Sequence, residues 1–143
     1  METRTQEPLS LLLLRAREAA MANLRPTLQE LGLTEPQWRV LLALEQRGAM
    51  SAAELATACV ILPPSITRIL RHLSDEGCVS VERSREDGRQ LRIHLTASGR
   101  EKVARVAPVM DAQHAAVAKR LQPERLQHLQ SLLFDLINTG DQT

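Results

Sequence analysis

"SAAELATACVILPPSITRILRHLSDEGCVSVERSREDGRQLRIHL" occupies residues 51–95, and two changes of pattern within it decide the fold. Ser51 followed three residues later by Glu54 is a capping box, and it predicts a short helix running to about Cys59. Pro63 and Pro64 then mark a second helix start. Ile66, Ile69, Leu70 and Leu73 recur at helical spacing after them, and Gly77 is a stop. From Cys78 the period changes to two. "CVSVERS" (78–84) and "QLRIHL" (90–95) alternate, joined by the turn "REDGR" (85–89), as a two-stranded hairpin does. A capped helix, a tight connection, a second amphipathic helix and a hairpin make a winged helix-turn-helix.

The flanks read as helices. Upstream, "TEPQWRVLLALEQRG" (34–48) carries a second capping box, Thr34 with Gln37, has Pro36 in its first turn and closes at Gly48. Residues 8–31 read as one helix with Leu13, Leu14, Ala20, Met21, Leu24 and Leu28 on one face, while Arg15, Glu18 and Arg25 lie off it. Pro26 is expected to kink its end. Downstream, Thr96 caps a long helix with Val103, Val106, Met110, Val117 and Leu121 on one stripe, bent at Pro108. Pro123 opens a last helix with apolar Leu126, Leu129, Leu132, Leu133, Leu136 and Ile137. The expected order is α-α-α-α-β-β-α-α, mainly α with a small β-hairpin wing.

Composition sets limits on function. The 143 residues are about one domain, with a formal net charge of only +1, so an electrostatic case for a nucleic-acid partner must rest on local clustering. One Trp, one Phe and no Tyr leave a core of Leu, Val, Ile and Ala, which suits packed helices. Cys59 and Cys78 form neither a disulfide framework nor a four-ligand zinc site. No apolar run approaches the ~20 residues of a membrane span. "LSLLLLRA" (9–16) lacks the flanks of a signal peptide, so the expected compartment is the cytoplasm and no membrane partner is expected. His72, His94, His114 and His128 are scattered, and no phosphate loop or nucleophile–base motif occurs. The expectation is therefore a non-enzyme with no cofactor, no catalytic residues and no metal.

The basic residues cluster where a reading head would need them. With the Ile/Leu stripe of residues 63–75 turned inward, Ser65, Thr67, Arg68, Arg71 and His72 lie outward or at the margin. Ser and Thr bond phosphates and bases, and Arg forks onto guanine O6 and N7. The N-terminus of that helix is expected to favour phosphate. Arg85 and Arg89 sit at the hairpin tip. Arg92 projects from the strand opposite the Leu91/Ile93/Leu95 side, so the hairpin is a basic finger suited to a minor groove. Asp87 and Gly88 support the turn, with Asp87 able to cap it and hold an arginine. The plainer reading is a solvated turn beside Asp75, Glu76, Glu82, Glu86 and Asp87. The combination with the helix-turn-helix points instead to double-stranded DNA.

These residues resemble the MarR family of winged-helix regulators. "DGRQLRIHLTASG" (87–99) is similar to that family's Asp-x-Arg wing followed by Leu-Thr and a glycine. "RAREAAM", "LRP", "LTEPQWRVL" and "ACVILPPSITRIL" resemble the branch that regulates homoprotocatechuate and 4-hydroxyphenylacetate catabolism. The resemblance implies an intertwined homodimer, with residues 1–31 as an N-terminal dimerisation helix, 32–96 as the DNA-binding domain and 97–143 as C-terminal dimerisation helices, one compact unit overall. A two-fold dimer reads a pseudo-palindromic operator with half-sites about one DNA turn apart. It further implies repression of aromatic-acid catabolic genes, relieved by a small aromatic carboxylate. Close relatives carry Arg in place of Pro63, so their operators do not transfer.

The ligand residues are sought where the apolar stripes are interrupted. Ser10 and Arg17 break the first helix's stripe, beside Met21, and His114 breaks the long helix's between Met110 and Val117. Val40, Leu41 and Leu44 form the core side of their helix, Trp38 and Leu42 point to a neighbouring side, and Trp38 is expected to be core in part. The resemblance places the equivalents of Ser10, Arg17, Trp38 and His114 near the ligand. Relatives carry Arg at position 42 and Tyr at position 114, where this chain has Leu and His. A buried Arg17 needs an anionic partner, either the ligand carboxylate or a Glu or helix C-terminus across the dimer. Two alternatives stand beside this reading: a redox-sensing repressor acting through Cys59 and Cys78, and a winged-helix interaction module without DNA readout.

Overall fold

The computed structural model describes residues 6–84, 86, 88 and 90–140. Its elements run α1 (Leu9–Met21), α2 (Arg25–Glu30), α3 (Glu35–Arg47), α4 (Ala52–Cys59), α5 (Pro63–Asp75), β1 (Val79–Arg83), β2 (Leu91–Leu95), α6 (Ala97–Leu121) and α7 (Pro123–Gly140). Five helices therefore precede the hairpin where four were expected. The additional one comes from Pro26, which has no N–H to give a preceding carbonyl and crowds the turn before it. The chain turns over residues 22–24, with the Leu24 N–H on the Met21 carbonyl at 3.0 Å, and Pro26 falls in the first turn of α2. The proline starts a helix and does not merely bend one.

Both capping boxes form. The Gln37 N–H donates to Thr34 Oγ1 at 3.3 Å and the Glu54 N–H to Ser51 Oγ at 3.1 Å. α3 is the central rod, packing against α2, α4, α5 and β2. Leu28, Leu41, Leu55 and Leu73 are among its fully buried neighbours and contributors. Burying one such side chain contributes roughly 1.5–3 kcal/mol. The hairpin pairs Val79 with Leu95, Val81 with Ile93 and Arg83 with Leu91 in antiparallel register. It does not stand alone: Met50 bridges to Ile93 through two backbone hydrogen bonds of 3.2 and 2.8 Å. The wing's base is thus stitched to the segment between α3 and α4.

At the other end of the hairpin, Thr96 opens α6 by accepting the Gly99 N–H at 3.1 Å while donating to the Gly77 carbonyl at 2.6 Å. Gly99 is needed there for space. A Cβ on it would overlap the Cys78 carbonyl oxygen and Leu95 Cδ1. The chain divides into two compact units between Ala107 and Pro108, so the division falls within α6 and not at its start. Within the second unit, Leu126 is buried, while Leu129, Leu132, Phe134, Leu136 and Ile137 of α7 are exposed. α1 buries none of its residues, and Leu9, Leu11, Leu12 and Leu14 are exposed. No single helix among the described residues is long and apolar enough to cross a membrane.

Candidate functional site

α5 turns Ile66, Leu70 and Leu73 into the core and leaves Thr67, Arg68, Arg71 and His72 exposed, with Ser65 half-buried at the margin. Among the described residues no ion pair engages Arg68 or Arg71, although Asp75 lies one turn from Arg71. Ser65, Arg68 and His72 share a depression with Thr34 and Gln37 at the start of α3. The Thr67 hydroxyl bonds back to the Pro63 carbonyl at 3.4 Å. The expected phosphate site at the start of α5 is not built. Pro63 and Pro64 have no N–H, and the Ser65 and Ile66 N–H groups both donate to the Leu62 carbonyl, at 2.9 and 3.0 Å. Of the N–H groups at this helix start only that of Leu62 is left to aim at an anion.

The wing contributes differently from the expectation. Arg92 is half-buried, and its guanidinium lies over the body of the domain, donating to the Ala49 carbonyl at 3.2 Å and standing 3.8 Å from Glu54. It ties the hairpin down. Nearer the tip, Arg83 donates to the Gly88 carbonyl at 3.2 Å, and the Ser84 N–H reaches the Gln90 carbonyl at 2.8 Å. Arg85, Asp87 and Arg89 lie outside the described residues.

Of the ligand candidates, Ser10 and Arg17 are exposed on α1, Met21 and Leu42 are half-buried, and Trp38 is only 3% exposed. α3 is packed on several sides, so the side neighbouring Val40, Leu41 and Leu44 is covered too and its tryptophan joins the core. His114 is exposed on the part of α6 that belongs to the second unit. Arg17 already has a carboxylate: its Nη2 lies 2.6 Å from Glu35 Oε2, and its Nη1 lies 3.7 Å from Glu18. Arg25 holds the other oxygen of Glu35 at 2.7 Å and Glu18 at 2.7 Å. The partner is a glutamate of the same chain. Hydrogen bonds from Arg17 and then Arg25 hold the Glu35 carboxyl below its ordinary 4.5. The hydrogen bonds that Arg25 itself donates to Glu35 and then Glu18 raise it above its usual value.

Glu18, Arg25 and Glu35 were not singled out in the sequence, for a physical reason. Arg17 meets Glu35 across the break at residues 22–24, and Arg25 meets it from the start of α2. Glu35 also has a sufficient local role in the first turn of α3, where an acid opposes the helix dipole. Both cysteines are buried. Cys59 donates to the Arg39 carbonyl at 3.4 Å while Arg39 Nε donates to the Cys59 carbonyl at 2.9 Å. Burial pushes the Cys59 thiol above its ordinary 9.0, against a smaller opposing pull from Arg39 and Arg47, and this works against thiolate chemistry. Among the described residues no three of His, Cys, Asp and Glu gather as metal ligands.

The chain as a whole is similar to known proteins. Residues 31–90 match the model of the MarR family. The homoprotocatechuate degradative operon repressor of Escherichia coli is 33% identical over 135 residues, 94% of this chain and 91% of that protein. The crystal structure of NadR in complex with 4-hydroxyphenylacetate is 31% identical, with a TM-score of 0.85, over 95% of this chain and 97% of that one. Mycobacterium tuberculosis MarR family protein Rv2887 in complex with salicylic acid is 34% identical, with a TM-score of 0.68, over 92% and 97%.

Proposed function

The chain belongs to the MarR family of transcriptional regulators, and from that premise we propose that it represses genes of aromatic-acid breakdown and leaves its operator when a small aromatic carboxylate binds. The observation that carries the DNA half is the exposed face of α5, where Thr67, Arg68, Arg71 and His72 stand clear of the core. α5 enters the major groove, with Arg68 reading a base and Arg71 and Thr67 meeting phosphates. The hairpin, held by Arg92 and Met50, carries Arg85 and Arg89 toward the adjacent minor groove. A second copy of the chain covers the exposed leucines of α1 and α7, because an apolar stripe of this extent on a small domain is a partner surface. The two-fold pair then reads a pseudo-palindromic operator.

The effector half rests on Arg17. The relatives NadR and Rv2887 were crystallised with 4-hydroxyphenylacetate and salicylic acid, both aromatic carboxylates. In this chain Glu35 supplies Arg17 with a carboxylate 2.6 Å away. An incoming carboxylate exchanges with Glu35, and because Glu35 is the first residue of α3, the exchange acts on a helix that packs against both α4 and α5. A coupling of about 1–3 kcal/mol between the two sites is enough for release. The test is titration of the protein–promoter complex with 4-hydroxyphenylacetate, homoprotocatechuate and salicylate, following DNA release together with Trp38 fluorescence. Release with a fluorescence change, lost in Arg17→Ala, is expected. A complex that none of these acids disturbs refutes the effector reading and leaves DNA binding intact.

A further inference from the structure

The connection from α4 to α5 is built from hydrocarbon. Val60 is 86% exposed and Leu62 is 75% exposed, and Pro63 and Pro64 follow them at the surface. Val60 holds φ +55° and ψ +56°, a left-handed conformation that a β-branched residue adopts only under constraint. The constraint is visible. The Ile61 N–H reaches the Ala56 carbonyl at 2.9 Å and the Val60 N–H the Thr57 carbonyl at 3.3 Å, the pattern that closes a helix on a left-handed residue. Among the described residues of the first unit, the other chain reversals at positive φ, Gly32, Gly48 and Gly77, all use glycine. A strained valine whose side chain is given to solvent is not explained by packing.

We propose that Val60, Leu62 and Pro64 read the 5-methyl groups of thymine in the operator half-site. The proposal rests on the assignment of α5 to the major groove. The patch is continuous with that surface, lying at the N-terminal end of the helix whose exposed face carries Thr67, Arg68 and Arg71. Residues at this end of a recognition helix are the ones that meet base edges. The thymine methyl is the apolar group that the major groove presents. The same turn is unfit for the alternative task, because its N–H groups are absent or already bonded to Leu62. Beside it, Ile61, Pro63 and Ile66 line a depression with Ala52 and Ala56, so the apolar surface extends back onto α4. A site that offers this much hydrocarbon and only the Leu62 N–H as an uncommitted backbone donor favours methyl groups over phosphate oxygens.

The experiment uses the full-length protein and an operator selected from a randomised duplex library. Each thymine of a half-site is replaced in turn by deoxyuridine, which removes the methyl and keeps the pairing. Affinity is measured at fixed salt for the wild type and for Leu62→Ala, whose exposed side chain is not needed for folding. Kd is expected to rise roughly fourfold for each contacted methyl removed. Leu62→Ala should bind the thymine operator more weakly and lose discrimination at one position or more, so that the two changes are non-additive. A wild type that prefers the operator over scrambled duplex yet binds thymine and deoxyuridine forms equally overturns the methyl reading and leaves α5 as a base reader. A protein with no preference for any selected duplex overturns the assignment of α5 itself, and this proposal with it.

Discussion

Replacing Val60 by glycine should make the protein more stable. The left-handed conformation costs a residue with a Cβ roughly 1–2 kcal/mol, and branching at Cβ places valine toward the upper end. Glycine removes that cost, but it also returns conformational freedom to the unfolded chain, worth about 0.4–1 kcal/mol in the opposite direction. Lost burial adds little, since Val60 is 86% exposed. The difference is a gain of about 1 kcal/mol, which for a domain of this size raises Tm by about 3–5 °C. The assay is thermal unfolding at fixed protein concentration, since self-association makes Tm concentration-dependent. Val60→Ala is the control: it keeps a Cβ, and so keeps most of the strain. A glycine variant that melts at or below the wild-type temperature refutes the reasoning, as does an alanine variant that gains equally. Operator affinity should fall in the same glycine variant, so that stability and binding move in opposite directions.

Gly99→Ala should lower the urea midpoint, by about 1–3 kcal/mol of stability, because the new methyl meets the Cys78 backbone and Leu95 where α6 begins; an unchanged midpoint would mean that α6 is not pressed against that strand. Glu35→Gln should bind an aromatic acid more tightly by freeing Arg17 of its internal carboxylate, read by isothermal titration. The pH profile of stability should separate the same pair of proteins. The Glu35 carboxyl is depressed, so its contribution is present above 4.5 and is lost as pH falls through its lowered folded value, and the two profiles should converge in acid. Arg68→Ala should cost about 1–3 kcal/mol at a single operator position and relax the preference there, whereas Arg71→Ala should weaken all sequences alike and reduce the salt slope by about one. Cys59 should react with iodoacetamide far more slowly in the native protein than after unfolding, because it is buried and its thiol is raised.

The elements that were legible in the sequence are those whose causes act within a few residues. A hydroxyl three positions before a glutamine or glutamate sets a helix start through a hydrogen bond of that reach, and both Thr34 and Ser51 form theirs. Period-two alternation sets a hairpin, and the register from Val79–Leu95 to Arg83–Leu91 follows the strands that the pattern marks. Apolar spacing along 63–75 likewise decided which face of α5 is left exposed. Pro26 was visible as a disturbance, but whether the chain bends or restarts depends on whether the turn at 22–24 finds partners, and it does.

What only the tertiary structure decided is which distant groups meet. Arg92 alternates outward along its strand just as a DNA-contacting residue would, yet it spends its guanidinium on the Ala49 carbonyl, 43 residues away. Arg17 interrupts an apolar stripe as a ligand residue would, and the carboxylate it holds arrives from α3 only because the chain turns back at residues 22–24. Trp38 reads as lying beside the core face and only partly buried, and it is closed off because α2, α4, α5 and β2 surround its helix. Local chemistry operates over one turn of helix or one pair of strands and is written where it acts. Charge pairing and burial operate through space, and their partners are chosen by the path of the folded chain.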